Sequence, residues 1–436
     1  MNIRWIRHGL LAVAAICCLA RVSPGYSVLT HEAIIDSCWK TDIQPLLIKR
    51  FPNATADQLK EAYAHAYGGA IIQDMGYYPF ASKFFSDLAH YVRSGDFVEA
   101  LIQDSQDIDE YAFALGALCH YAADNDGHPI AVNKSVPLLY PKLRRKYGNS
   151  VTYEEDTAAH LRTEFGFDVV QVAHGQYASN SYHNFIGFKV SKPLLERAFQ
   201  DTYGIELKSI FTDLDLALGT YRYSVSTIIP EMTRVAWETH KSDIEKLSPG
   251  MTRAKFRYRI ARGSYEKEFG THYKQPGLGT KVLAFIIRIV PKIGPFKGLA
   301  IKPSNQQTEK LFADSFTATV DFYRQLLKNV QAGDLNLPNR DFDTGRPTSP
   351  GEYHLADQTY EKLLAALAKH KFENVTPDLR QNILAFFANP QQHNAATKAE
   401  RGEWQKTLTE LDELKNPGTG TSPAPKQGAK QPPPEH

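Results

Sequence analysis

Along most of the chain the large apolar residues recur at spacings of three and four, the period of an amphipathic helix. No stretch sustains the period-two alternation of a half-buried strand. The first 240 residues therefore read as nearly all-α. A helix opens at Thr30, taken as its N-cap, with Ile34, Ile35 and Cys38 on its apolar side and His31 in its first turn. Residues 57–67 form a second helix that ends at Gly68-Gly69, and Asp74 follows just before a Gly-Tyr-Tyr-Pro turn. A short amphipathic helix then carries His90, and residues 97–124 read as one long helix. Asn125, Asp126 and Gly127 break that pattern, which leaves His128 and Pro129 in an exit loop. Residues 136–147 read as a loop and a basic helix, and a helix around His160 and Glu164 comes next. Helical periodicity continues over 193–239, 305–330 and 354–389, with a last exposed helix at 403–414.

The two ends differ from this body. Residues 1–25 have the pattern of a secretory signal peptide: Arg4 and Arg7, an apolar run over 10–20, then Ser23-Pro24-Gly25. The apolar run is shorter than the ~20 residues a membrane span needs, so the mature chain is expected to be secreted or periplasmic, with no transmembrane helix. Residues 416–436 are rich in Pro, Gly, Lys and Gln and read as a disordered tail. Between them, residues 251–302 hold twelve Lys+Arg against two Glu and include an apolar run at 282–290. That segment reads either as a buried connection between two lobes or as a surface for anionic lipid. The expected organisation is thus a leader (1–25), a helical domain (26–245), a basic-apolar connection (246–302), a C-terminal helical region (303–415) and the tail.

Charge changes the picture little. Without residues 1–25 the chain has 47 Lys+Arg against 48 Asp+Glu, and so near-neutral a balance gives no bulk reason to expect nucleic-acid binding. Only Cys38 and Cys119 remain after processing, which is no disulfide framework, although the two could pair in an oxidising compartment.

The candidate chemistry lies in the histidines. His120 and Asp124 stand four apart on one helical face, within reach of a single ion, and His160 and Glu164 repeat that spacing. His31, Asp74, His90 and His128 lie close by in sequence, among segments rich in Ala, Tyr, Phe and Leu. Burying such groups together without a cation would be costly, and imidazole with carboxylate is a good donor set for zinc.

In this order the residues resemble the zinc-dependent phospholipase C enzymes and the related single-strand-specific nucleases, over roughly residues 26–165. The resemblance implies two or three zinc ions: Tyr26, through its terminal amine and carbonyl, His31 and Asp124 on one; Asp74, His90, His120 and Asp124 on the second; His128, His160 and Glu164 on the third. It also implies that Asp74 acts as general base or orienter of the attacking water. Two departures stand out. Tyr26 replaces the family's usual Trp, and His128 precedes Pro129 rather than following a Pro, which leaves Asp126 as a substitute ligand for the third ion.

The expected function is hydrolysis of a phosphodiester, with a phospholipid head group as the leading substrate. Glu164 and the near-neutral charge favour lipid, as does the basic-apolar segment. The Tyr26–His31 spacing resembles the nuclease branch, and Tyr77, Tyr78, Phe80 or Tyr121 could stack bases if they are not core residues. The alternatives are a single-strand nuclease or nucleotidase and a non-catalytic protein that zinc merely stabilises.

Overall fold

The helix Ile108–Gly127 is the element around which the others pack. It begins where the Asp107 side chain accepts hydrogen bonds from the backbone N–H groups of Asp109 and Glu110, at 3.0 and 2.8 Å. It is apolar on nearly every side, with Phe113, Leu115, Leu118 and Tyr121 all buried, so it cannot lie on a surface and is enclosed by its neighbours. The computed structural model describes residues 27–78, 80–173, 189–223, 304–388 and 398–416, with isolated positions between 225 and 252. The leader, Tyr26, nearly all of the basic-apolar segment and the tail beyond 416 lie outside the described residues.

Two helices flank the central one. Ala56–Gly69, started by a reciprocal Thr55–Gln58 capping box, crosses it at backbone contact. Gly69 and Gly116 permit that approach. A Cβ on Gly69 would stand 1.9 Å from the carbonyl oxygen of Phe113, and one on Gly116 would stand 2.1 Å from that of Ala66. On another side lies Gln306–Ala332, capped by Asn305 at its start and by left-handed Gly333 at its end. The hydroxyl of its Tyr323 donates to the carbonyl of Leu115 at 2.8 Å. The buried apolar residues form one continuous core from Val28 to Leu414, so the C-terminal helices close over the same interior. Among the described residues there is no sheet, only an isolated bridge between Arg340 and Pro347, and no helix long and apolar enough to cross a membrane.

Several expected boundaries move, each for a physical reason. Thr30 is not an N-cap: the helix is Val28–Cys38, and Thr30 lies inside it. The buried Asp168 carboxylate, from the helix Thr157–Ala173, takes the capping role by accepting from Leu29 N–H at 3.1 Å and Thr30 Oγ at 2.7 Å. The stretch 97–124 is two helices, Ser94–Asp104 and Ile108–Gly127, because Asp107 captures the N–H groups that would continue the first. Gly127 breaks nothing. It stays right-handed, and the chain runs on through a π-helical turn, His128–Val132, into Asn133–Leu139. His128 is thereby buried in helical backbone rather than carried on a loop. The stretch 354–389 divides into His354–Lys369 and Pro377–Phe386, with Lys371 and Phe372 at positive φ in the turn between them.

Candidate metal centre

Each candidate ligand is brought in by a separate local structure. His31 lies one turn into Val28–Cys38, and Asp74 lies in the 3-10 turn Ile72–Tyr77 that continues the Ala56–Gly69 helix. His90 is near the end of Lys83–Tyr91, and His120 with Asp124 is on the last turns of the central helix. His128 opens the π-helical turn, and His160 and Glu164 share a face of Thr157–Ala173. All eight are buried, although they come from 134 positions of sequence.

They fall into three groups whose ligating atoms lie within 4.8 Å of one another: His31, His120 and Asp124; Asp74, His90 and His120; His128, His160 and Glu164. The Asp124 carboxylate joins the first two. Its Oδ1 faces His31 Nε2 at 3.5 Å, while its Oδ2 faces His120 Nε2 at 3.2 Å and His90 Nε2 at 3.6 Å. Asp74 Oδ1 is 3.3 Å from the same His90 nitrogen. The third group is tighter, with His160 Nδ1 2.6 Å and His128 Nε2 3.7 Å from Glu164 Oε1.

The outer ring nitrogens decide which atoms face inward. His90 Nδ1–H donates to Ser86 O at 2.8 Å, His120 Nδ1–H to Ala70 O at 3.0 Å and His128 Nδ1–H to Phe342 O at 2.8 Å. His160 Nε2–H donates to Asn133 Oδ1 at 2.8 Å. With the proton held outward, the inward nitrogen of a neutral ring presents a lone pair. His160 Nδ1 then faces a carboxylate oxygen at 2.6 Å, an approach that a shared proton or a cation bound to both atoms relieves. Asp74 Oδ1, both oxygens of Asp124, His128 Nε2 and His160 Nδ1 are buried without a hydrogen-bond partner. Orphaned atoms that converge in this way fit a divalent ion, and the N/O donor set fits zinc. The His128, His160 and Glu164 group has three protein donors, which leaves a position open, as in catalytic rather than structural zinc sites.

The electrostatics agree. Burial resists a charge on His90, yet the facing carboxylates of Asp124 and Asp74 outweigh it and raise the imidazole to about 10. A proton thus stands where an ion would. Burial likewise opposes ionisation of Asp124, but His120, His128 and His90 hold it well below the usual carboxylate range. Burial and the neighbouring His128 keep His160 well below its ordinary value, so it is neutral and able to ligate at pH 7.

Other candidates fall elsewhere. Tyr26 lies outside the described residues. Asp126 is half-buried and joins none of the groups, because the unbroken helix turns it away from Asp124. Cys38 and Cys119 are free buried thiols, and Cys119 Sγ faces the His31 carbonyl at 3.8 Å. Tyr121 is a core residue whose hydroxyl donates to Pro338 O, whereas Phe80 is exposed at positive φ. Tyr77 lies against the centre: its ring meets His90 edge-on at 5.8 Å and Tyr153 at 6.3 Å, and Tyr153 in turn meets His160 at 5.9 Å. A further group, Glu61, His65 and Asp109, is half-buried and already has a counter-charge in Lys189, which pairs with Glu61.

Residues that sequence reasoning missed lie in the segment 337–348. Its Phe342 N–H donates to His90 O at 3.2 Å, and the Phe342 ring packs against His90 and His120. Ser94 and Arg340 exchange hydrogen bonds that fix the segment against the start of a helix. No motif in the sequence marks these positions.

Residues 30–213 match the family model described as zinc dependent phospholipase C. That stretch holds every candidate ligand among the described residues, and it is a zinc-dependent hydrolase domain of the phospholipase C and nuclease superfamily with donor groups for two or three ions. Residues from 214 onward lie outside the match. No curated protein and no solved structure matches the chain.

Proposed function

We propose, from the assignment of residues 30–213 to the zinc-dependent phospholipase C family, that this chain hydrolyses a phosphodiester, with the head-group bond of a phospholipid as its substrate. The observation that carries the proposal is the Asp124 carboxylate, which turns one oxygen to His31 and the other to His90 and His120, beside a third donor group. Zinc held there would lower the pKa of water towards neutrality and polarise phosphoryl oxygens.

The protein's own groups supply the rest. Asp74, 3.3 Å from His90, serves as ligand and as the acceptor that orients or deprotonates the attacking water. Burial pushes the Tyr77 phenol well up, so it stays protonated, and its buried hydroxyl has no hydrogen-bond partner. It is therefore free to donate to a phosphoryl oxygen placed between His90 and His160. Export through the leader at 1–25 and contact with a lipid surface through 251–302 belong to the same reading.

The test is bound zinc by elemental analysis, followed by assay on phosphatidylcholine vesicles, single-stranded DNA and a bis-aryl phosphate. Two or three zinc ions with chelator-sensitive lipid cleavage support the proposal. DNA cleavage alone moves the chain to the nuclease branch, and zinc without turnover makes it a zinc-stabilised binding protein.

A further inference from the structure

We infer that Asp343, together with the carbonyl of Phe342, is a positioning group for the third cation, so that the metal centre is completed from beyond the matched stretch 30–213. The inference rests on the zinc reading of the His128, His160 and Glu164 group and adds residues to it. His128 Nδ1–H donates to the Phe342 carbonyl at 2.8 Å, and Asp343 Oδ1 stands 3.4 Å from the same nitrogen. Asp343 is fully buried, and Oδ1 has no hydrogen-bond partner, so it acts on the imidazole N–H through its charge. Its second oxygen accepts from the hydroxyls of Tyr91, at 3.0 Å, and Tyr353, at 2.5 Å. Two donors from separate parts of the fold, the last residue of Lys83–Tyr91 and the extended residue before His354–Lys369, therefore hold the carboxylate in one orientation, with its remaining oxygen turned to the histidine.

The same segment reaches the other imidazole. Asn133 donates from Nδ2 to the Asp343 carbonyl at 2.6 Å, which fixes its amide so that Oδ1 accepts from His160 Nε2–H at 2.8 Å. Both histidines of the third group thus have their outer nitrogens held by this segment, directly or through one side chain. A buried carboxylate beside Nδ1–H locks the tautomer that exposes Nε2 and makes that nitrogen a stronger donor to a cation. An apolar residue at 343 would leave two tyrosine hydroxyls unpaired as well, so the position is specified on three sides.

The experiment uses the full chain loaded with zinc, challenged with a graded chelator and counted by elemental analysis. Metal-free melting is measured in parallel, and the cobalt-substituted protein is read by absorption. In Asp343→Asn one ion should dissociate about 10–100-fold more readily than in the wild type. The other ions should stay, and the cobalt spectrum of the third site alone should change. Tyr353→Phe, which removes one donor to Asp343, should show the same effect in smaller measure and serves if Asp343→Asn does not fold. Wild-type zinc retention and an unchanged cobalt spectrum in the folded variants would overturn the inference. So would equal loss of every ion in step with a lower metal-free melting temperature, the mark of a merely structural residue. A wild-type chain that binds no zinc would refute the metal reading itself, a result separable from both.

Discussion

Substituting Gly116 by Ala tests whether the helix crossing sets the geometry of the metal centre. In an ordinary helix the change would stabilise by about 1 kcal/mol, because Ala is the better helix former. Here the new Cβ would sit 2.1 Å from Ala66 O and 2.8 Å from Ala70 N, whereas ordinary contact begins at 3.4 Å. Both are backbone atoms and cannot rotate away, so the helices must separate by roughly 1 Å. His120 lies one turn beyond Gly116 on the same face and is oriented by the Ala70 carbonyl, and Asp74 follows directly on the other helix. The separation therefore displaces His120 and Asp124 against Asp74 by several times the ~0.2 Å that zinc ligands tolerate. Overpacking itself costs about 1–3 kcal/mol, which at about 2–4 °C per kcal/mol lowers the melting temperature by several degrees. The readouts are melting with and without zinc, and zinc per chain. The expected result is a lower melting point and loss of zinc from the groups sharing His120. Gly402→Ala is the control: it is exposed on the helix Lys398–Lys415 with nothing within 4 Å of a Cβ, and it should stabilise by about 0.4–1 kcal/mol. A Gly116→Ala protein that melts at or above the wild type with full zinc would refute the reasoning.

Three other expectations follow from the same geometry. Asp124→Asn should cost the chain the ions of the His31 and His90 groups and abolish hydrolysis, while the third group keeps its zinc, as counting metal in the purified variant will decide. In the metal-free protein His90 has its pKa raised from 6.5 to about 10, so its proton stabilises the fold fully below pH 6.5, and that stability is lost as the pH rises towards 10. Zinc must displace this proton, so its affinity should climb across the same window with proton release on binding, and a flat metal-free melting curve between those values would contradict the assignment. Burial and the adjacent Glu352 raise Asp341 from 3.8 to about 8, so stability should fall as the pH rises from about 4 to about 8. Asp341→Asn should remove that slope in a pH series of melting temperatures.

Much of this protein was legible in its residues alone, where the determinant is local. Apolar spacings of three and four specify helices wherever they occur, and an imidazole four residues from a carboxylate shares its face in any helix. His120 with Asp124 and His160 with Glu164 could therefore be read as pairs, and the all-α class with them. The limits of that logic appear where local and distant groups compete for the same backbone. Thr30 has the chemistry of an N-cap, but Asp168, 138 residues away, accepts both its hydroxyl and the N–H of Leu29. Asn125-Asp126-Gly127 has the composition of a helix end, yet the helix continues because His128 is held by Phe342, 214 residues further on. Asp343 has no periodicity or motif to announce it; only the docking of its segment on His90, His128 and Asn133 makes it part of the site. Helical period and one-face pairing follow from bond geometry that every short segment carries within itself. The partner of a buried polar atom is set by packing across the whole core, and no short segment contains that information.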